Sequence, residues 1–268
     1  MTEIEYKVIQ PDASLFHFVE SYWMVVNNSN QPKEIVVLPD GRVDIHFFYA
    51  ETEPFHIAIA GLECYPSQTA IPPNSVMFAV SFKLLAIEYV LNMSIADIVN
   101  DRMLLQDNFW GISKNDLNNF GLFCQKVSEK ITETINANVD DAVNEKKDNR
   151  ERLDTRKLKM FDLIYAKKGS VSVKEISEAV HWSSRQINRY FTQWFGLSLK
   201  AYTNILRFRA TFPNIKEGKL FPESDFADQA HFIKEIKKYS GYTPKELHKN
   251  KGDRFVQLST LKPHVLLK

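Results

Sequence analysis

The stretch VKEISEAVHWSSRQINRYFTQWF, residues 173–195, decides the fold of the second half of the chain. Val173, Ile176 and Val180 line one side of a short helix, with Ser172 as its cap and Glu175 three residues on. His181-Trp182-Ser183 breaks the pattern, and a second apolar stripe then runs through Ile187, Tyr190, Phe191 and Trp194. A capped helix, a tight turn and a second amphipathic helix predict a helix-turn-helix. Opposite the second stripe lie Arg185, Asn188, Arg189 and Thr192 at i, i+3, i+4 and i+7. Such a row suits a major groove: arginine pairs bidentately with guanine, asparagine pairs with adenine, and a hydroxyl reaches base or phosphate. An ordinary amphipathic surface helix turns the same residue types outward, so this segment alone leaves both readings open.

Upstream, residues 153–166 read as a helix ended by Gly169, and downstream the chain stays helical to about His248. Phe226-Ala227-Asp228-Gln229-Ala230-His231-Phe232 opens another helix running to about Tyr239, with Lys234, Lys237 and Lys238 as a basic face and Gly241-Tyr242-Thr243-Pro244 behind it. Taken with Glu175-Ile176, Ser183, Ile187, Arg189, Phe191, Gly196, Tyr202, Arg207 and Ala210, this pattern over residues 171–247 resembles the DNA-binding domain of the AraC/XylS family of bacterial transcription regulators. The resemblance implies two helix-turn-helix units joined by one helix, each placing a recognition helix in successive segments of the major groove. It makes Ser184, Arg185, Asn188 and Arg189 the reading face of the first unit, beside Thr192 from the helical face above. Gln229, His231 and Lys234 are the corresponding candidates in the second, although a histidine at a helix start serves equally well as a packed or capping residue.

Three departures from that family's pattern carry expectations. His181 stands in the first unit's turn where glycine is usual, and Ser177 where alanine is usual; histidine tolerates a left-handed backbone better than most residues. Pro213 should end or kink the joining helix near Phe212. Residues 216–224, with Gly218 and Pro222, are short for the first helix of the second unit, which is expected as one turn or absent. A recognition helix lacking its support leaves the second unit truncated, with base readout falling mainly to the first.

The preceding half is rich in β signals. Residues 19–26, 35–38, 43–49, 55–60 and 76–82 predict a small, largely antiparallel sheet, with Pro39-Asp40-Gly41 as a turn between the second and third runs. Ser94, ahead of Ile95, Ile98 and Val99 with Asp97 three residues on, predicts a helix start, and Leu117, Phe120, Phe123, Cys124, Val127, Ile131 and Ile135 predict one amphipathic helix. Residues 136–152, crowded with Asn, Asp, Glu and Lys, mark the expected domain boundary. The fold class is therefore α+β. A mostly antiparallel sheet with helices fills residues 1–150, and an all-α domain with two helix-turn-helix units, the second truncated, fills residues 151–268.

Val37-Leu38-Pro39-Asp40-Gly41-Arg42-Val43-Asp44, with Val80-Ser81-Phe82-Lys83 and Leu105-Gln106-Asp107-Asn108-Phe109-Trp110-Gly111, resembles a domain of poorly defined role found ahead of AraC-type DNA-binding domains. That resemblance implies ligand sensing or assembly. Phe16, Phe18, Tyr22, Trp23, Phe47, Phe48 and Tyr49 read as core or as walls of a ligand cavity. His17, His46 and His56 with Glu20 and Asp44 match no familiar metal-ligand spacing, and satisfied histidines on strands are the simpler reading.

Across 268 residues, 44% hydrophobic and 25% charged, the composition excludes a disordered or collagenous chain. The net charge of +1 conceals a division: residues 1–150 carry 11 Lys+Arg against 21 Asp+Glu, and residues 151–268 carry 23 against 12. A basic half suits phosphate or another acidic surface. The acidic start carries no leader signature, no stretch is apolar enough to span a bilayer, and two widely spaced cysteines, Cys64 and Cys124, suit a reducing cytoplasm. Double-stranded DNA is the expected partner, with an unidentified small-molecule effector and a homodimer as candidates, and no membrane, metal or cofactor. No phosphate-binding glycine loop or nucleophile elbow is present, so no catalytic residue is expected. An enzyme with its site in the acidic half, Cys64 being its cheapest nucleophile, and a degenerate protein-interaction module are the competing classes.

Overall fold

The structure, a computed structural model, describes residues 4–144, 153–221, 226 and 228–260; of residues 138–144 it describes the backbone alone. The protein is α+β. Its first half holds β1 (Ile4–Ile9), β2 (Val19–Asn27), β3 (Lys33–Val37), β4 (Val43–Ala50), β5 (His56–Ala60), β6 (Ser67–Ile71), β7 (Ser75–Phe82) and β8 (Arg102–Leu104), with α1 (Leu85–Tyr89) and α2 (Phe120–Asn144). The second half holds α3 (Thr155–Ala166), α4 (Val173–Val180), α5 (Ser184–Phe195), α6 (Leu199–Ala210), α7 (Phe212–Lys216), α8 (Gln229–Ser240), α9 (Pro244–Lys249) and α10 (Val256–Thr260).

All strand pairs are antiparallel, but they form two sheets: six strands in the order β1-β2-β7-β4-β5-β8, and a separate ribbon of β3 and β6. Period-two alternation turns Tyr22, Met24, Ile45, Phe47, Phe78 and Val80 to one face, where all are buried. The apolar stripe of α2 covers that face, with Phe123 ring centroids 5.1 Å from Phe47 and 5.3 Å from Phe78, and the Tyr22 hydroxyl 2.7 Å from Ser128 Oγ.

The structure corrects four expectations. The runs expected in one sheet form two, and Pro39-Asp40-Gly41, a turn between strands as expected, carries the chain from the β3–β6 ribbon into β4. Gly41 at φ +75° gives its carbonyl to the Tyr202 hydroxyl of α6 at 3.1 Å, and Asp40 accepts the Arg42 amide, so the turn's polar groups go elsewhere than a hairpin ladder. Ser94 opens only a single 3-10 turn, Ala96–Ile98, because its hydroxyl donates to the Gln193 carbonyl at 2.8 Å and Val99 is extended. Leu117 stands on a separate 3-10 turn, Lys114–Asn118; extended Asn119 breaks the pattern and its Oδ1 accepts the Leu122 amide, starting α2 at Phe120. Finally, β1, β6 and β8 have no counterpart among the expected strands.

The proposed boundary at residues 136–152 falls partly on α2, which continues to Asn144, and partly outside the described residues. Hydrophobic packing ignores it. One cluster joins the sheet and α2 to Phe161, Ile187, Phe191 and Phe195, while a second joins Val36 and Leu38 to Phe208, Phe232, Ile236 and Phe255. The joining helix breaks at Thr211, with Pro213 in the first turn of α7.

Candidate nucleic-acid interface

The first unit is assembled by local signals. The Ser172 hydroxyl accepts the Glu175 amide at 3.1 Å and Glu175 accepts the Ser172 amide at 2.8 Å, a reciprocal box that starts α4. Lys167 and both Ser172 contacts hold the Glu175 carboxyl down at about 2. His181 ends α4 in the left-handed region at φ +55°, ψ +33°, so the unusual histidine adopts the conformation that glycine commonly supplies. Ser177 Oγ donates to the Trp182 carbonyl at 2.5 Å, bracing the turn. A second box, Ser183 with Gln186, starts α5, and Gly196 at φ +71° ends it. The S-x-x-Q spacing of that second box is a start signal in the sequence that the apolar stripe alone does not carry.

Ile187, Tyr190, Phe191 and Phe195 form the buried side of α5; Phe195 rather than Trp194 completes the stripe. Phe161 of α3 packs beneath it, with ring centroids 5.9 Å from Phe191 and 6.1 Å from Phe195. Tyr190 donates to Glu88 of α1 at 2.9 Å, and burial together with that carboxylate pushes the phenol far above its ordinary range. Lys157 closes the triad on Glu88 at 2.5 Å.

On the other side of α5, Ser184, Arg185, Arg189 and Thr192 are exposed. Neither guanidinium has an acidic partner among the described residues. Asn188 differs from its neighbours. Its Oδ1 accepts the Leu199 amide at the start of α6 at 3.3 Å and its Nδ2 donates to the Ser184 carbonyl at 3.0 Å, so the amide orients two helices instead of projecting freely. Arg156, which the sequence pattern did not single out, lies over the Trp182 ring at 5.1 Å beside the turn, its charge already matched by Asp154 at 2.7 Å.

The second unit is built differently. Asp228 caps α8 by accepting the His231 amide at 2.8 Å, and Gln229 and Lys234 are exposed. His231 is half-buried with its ring 5.8 Å from Phe226, which places it in packing. No helix follows Lys216 among the described residues until α8, and residues 222–225 lie outside them. Phe232, Ile236 and Tyr239 of α8 share one buried cluster with Phe208 of α6, with Phe212 and Ile215 of the one-turn α7 and, across the halves, with Val36 and Leu38. The segment after α9 returns to β3: Val36 donates to the Arg254 carbonyl at 2.7 Å, and the Gln257 amide takes both the N–H (3.2 Å) and the carbonyl (2.9 Å) of Leu38, as a neighbouring strand would.

Both units are therefore tied to the first half. Ile95 donates to the Trp194 carbonyl at 3.0 Å beside the Ser94–Gln193 bond, so the connector at residues 94–99 satisfies the open carbonyls at the end of α5. On α6, Arg209 pairs with Glu20 of β2, close to the Asp40–Arg42 pair. Burial works against both acids, yet Arg209 holds Glu20 and Arg42 holds Asp40 below the usual carboxylate range. Asp44 goes the other way: burial raises it to about 6, and its Oδ1 has no hydrogen-bond partner among the described residues. The histidines are accounted for locally, His17 by Asp162 at 3.2 Å, His46 by the Trp23 ring at 5.4 Å and His56 by the Pro54 carbonyl at 3.1 Å. Burial raises both thiols, Cys124 to about 12.

Residues 7–104 match a family model described as a domain of unknown function (DUF6597). No curated protein matches the chain. Among solved structures it is similar to ToxT from Vibrio cholerae O395, at 12% identity and a TM-score of 0.42, covering 97% of this chain and 100% of that one. The same protein bound to (E)-4-(8-methylnaphthalen-1-yl)but-3-enoic acid gives 14% identity and 0.42 over 96% and 100%. An unsaturated fatty acid-bound form from strain SCE256 gives 12% and 0.38 over 92% and 95%. The first half thus contains a match whose role is unstated, and the functional reading rests on the geometry of α4, α5 and α8.

Proposed function

We propose that the chain is a sequence-specific DNA-binding transcription regulator of the AraC type, with α5 as the helix that enters the major groove. One observation carries this. The α4–turn–α5 unit is capped at every end, and on the side away from its core it presents Arg185 and Arg189, exposed and without acidic partners among the described residues, between Ser184 and Thr192. Unpaired guanidiniums on a rigid helix suit bidentate contacts to guanine. Lysines on α8 and around it add affinity by displacing counterions from phosphates. Gln229 and Lys234 belong to that second contact, and Asn188 serves as the strut that holds α5 to α6. The first half carries the effector or assembly role.

Selection of a random duplex library by the full chain at near-physiological salt, followed by anisotropy titration, tests the proposal. Enrichment of a motif that Arg189→Ala abolishes is the expected result. A single short half-site fits a dominant first unit, and two half-sites spaced by a helical turn fit equal units. Absence of enrichment, with binding indifferent to salt, overturns it in favour of a protein-interaction module. The buried cluster that α8 shares with Val36 of β3 and Leu38 is the observation that favours that second reading.

A further inference from the structure

The apolar stripe of α5 decides which face of the helix is buried; its exact rotation is set by directional bonds, because apolar burial has no preferred direction. Rotation matters for a reading helix. A roll of about 10° carries a side-chain tip about 6 Å from the axis through about 1 Å. That exceeds the spread of lengths, about 0.5 Å, over which a hydrogen bond is well formed.

Directional bonds on α5 are few. Apart from Asn188, the groups of α5 that hydrogen-bond outside the α4–α5 unit do so, among the described residues, to the first half. Ser94 and Ile95 take the carbonyls of Gln193 and Trp194, but main-chain groups lie only about 2 Å from the axis and have little leverage on rotation. Tyr190 has that leverage. It follows Arg189 in the middle of the helix, and its hydroxyl, at the end of a long side chain, donates to Glu88 Oε2 at 2.9 Å. Lys157 of α3 donates to the other carboxylate oxygen at 2.5 Å and lies 4.8 Å from the Tyr190 ring. Burial and the carboxylate push the phenol far above its ordinary range, so the hydroxyl keeps the proton that it donates.

Glu88 is itself held. It stands on α1, whose Leu85, Ala86, Ile87 and Tyr89 are buried, and the Tyr89 hydroxyl accepts the Asp154 amide at the start of α3 at 3.1 Å. A buried ion pair is a weak source of stability, and an apolar residue of similar volume at this position would hold the junction as well or better. What the carboxylate adds is direction, since its two oxygens place α5 and α3 against one helix of the first half. We propose that Glu88 is a positioning residue for base readout: by holding the Tyr190 hydroxyl it fixes the rotation of α5, and with it the aim of Arg185 and Arg189. Ser184, Arg185, Arg189 and Thr192 are all exposed while this contact is made, so it aims the reading face without covering it. The role in readout rests on the DNA-binding reading of α5; the restraint on rotation does not.

The test uses full-length chains carrying Tyr190→Phe, which removes only the hydroxyl, and Glu88→Met, which removes its acceptor. Each is titrated by anisotropy with a duplex selected by the wild-type chain and with a scrambled duplex of the same length, in conditions where urea titration shows it folded. The ratio of the two affinities is the readout: a role confined to stability lowers the urea midpoint and leaves the ratio of the folded protein unchanged. Tyr190→Phe is expected to lower the ratio by about tenfold, on the order of one bidentate base contact, with scrambled-duplex binding, which rests on phosphates, unchanged. Glu88→Met lowers it as far, and the double variant no further, because both remove the same contact. If Glu88→Met fails to fold, its Lys157 left unpaired, Tyr190→Phe decides alone. Without DNA, faster hydrogen exchange of α5 amides in Tyr190→Phe, with α2 unchanged, reports the restraint itself. An unchanged ratio, a raised ratio, losses that add in the double variant, or unchanged exchange in α5 overturns the proposal. A wild-type chain that selects no duplex overturns the DNA-binding reading and this role together, whereas selection by the wild type with an unchanged ratio in Tyr190→Phe overturns this role alone.

Discussion

Replacing Gly196 with alanine tests whether the connector at residues 94–99 truly holds the end of α5. Gly196 sits at φ +71°, and a Cβ there would lie 2.7 Å from the Ala96 carbonyl oxygen and 3.0 Å from Ala96 Cα. A left-handed alanine costs about 1–2 kcal/mol by itself. The nearest obstructing atom is Val99 Cγ2 at 2.6 Å, on a side chain of the same connector, and the two Ala96 atoms are backbone that cannot rotate aside, so the connector must lift, weakening the Ile95–Trp194 and Ser94–Gln193 bonds, each worth about 0.5–1.5 kcal/mol. The total is about 2–5 kcal/mol. Gly111 supplies the control: at φ +65° a Cβ added to it would meet nothing within 4 Å, so Gly111→Ala should lose only the backbone term, about 1–2 kcal/mol. Urea unfolding followed by circular dichroism measures both variants. Equal losses would refute the reasoning, because the contact between connector and helix would then contribute nothing.

Arg189→Ala should weaken specific duplex binding by about 1–3 kcal/mol, the range for a bidentate base contact, and by more than Lys234→Ala, whose main effect should be a salt slope shallower by about 1; anisotropy titrations at several salt concentrations decide between them. Asn188→Ala should destabilise the protein by about 0.5–1.5 kcal/mol through loss of the bond to the Leu199 amide, with Asn188→Asp, which keeps the acceptor facing Leu199, losing less in the same urea assay. Asp44 is raised by burial from 3.8 to about 6, so the folded state binds its proton more tightly than the unfolded state does. That contribution is fully present below pH 3.8 and is lost as pH rises towards 6. The stability of the native chain relative to Asp44→Asn should therefore fall across that window by on the order of 3 kcal/mol at most; a flat difference in pH-dependent urea midpoints would show that the carboxyl is not perturbed.

Short-range features were legible and long-range ones were not. Ser172 with Glu175, the stripe of Ile187, Tyr190 and Phe191, and the break at Pro213 are all decided within four residues of sequence, and the structure carries them as expected. The polar β6, Ser67–Ile71, and three-residue β8 lack an alternating apolar run, since an edge strand needs only a partner. Pro39-Asp40-Gly41 reads as a turn whether it closes a hairpin or changes sheets, and only Tyr202 and Leu206, more than 160 positions away, select the second outcome. Among candidate site residues, Arg185 and Arg189 could be placed from helical phase alone. The engagement of Asn188 depends on where α6 begins, and the packing of His231 depends on Phe226, so neither follows from phase.

The return of residues 254–257 to β3 has a consequence for how the chain is made. Val36 and Leu38 are separated by 218 and 219 positions from the groups that complete their edge. At a synthesis rate of about 5–20 residues per second, that interval is roughly 10–40 s. Throughout it the nascent ribbon has an open, apolar edge and no cover from Phe255 or Leu258. Vulnerability to misassociation is therefore greatest on the ribosome, and substitutions that weaken the Gln257–Leu38 pairing should reduce the yield of soluble protein more than they reduce the stability of what has already folded.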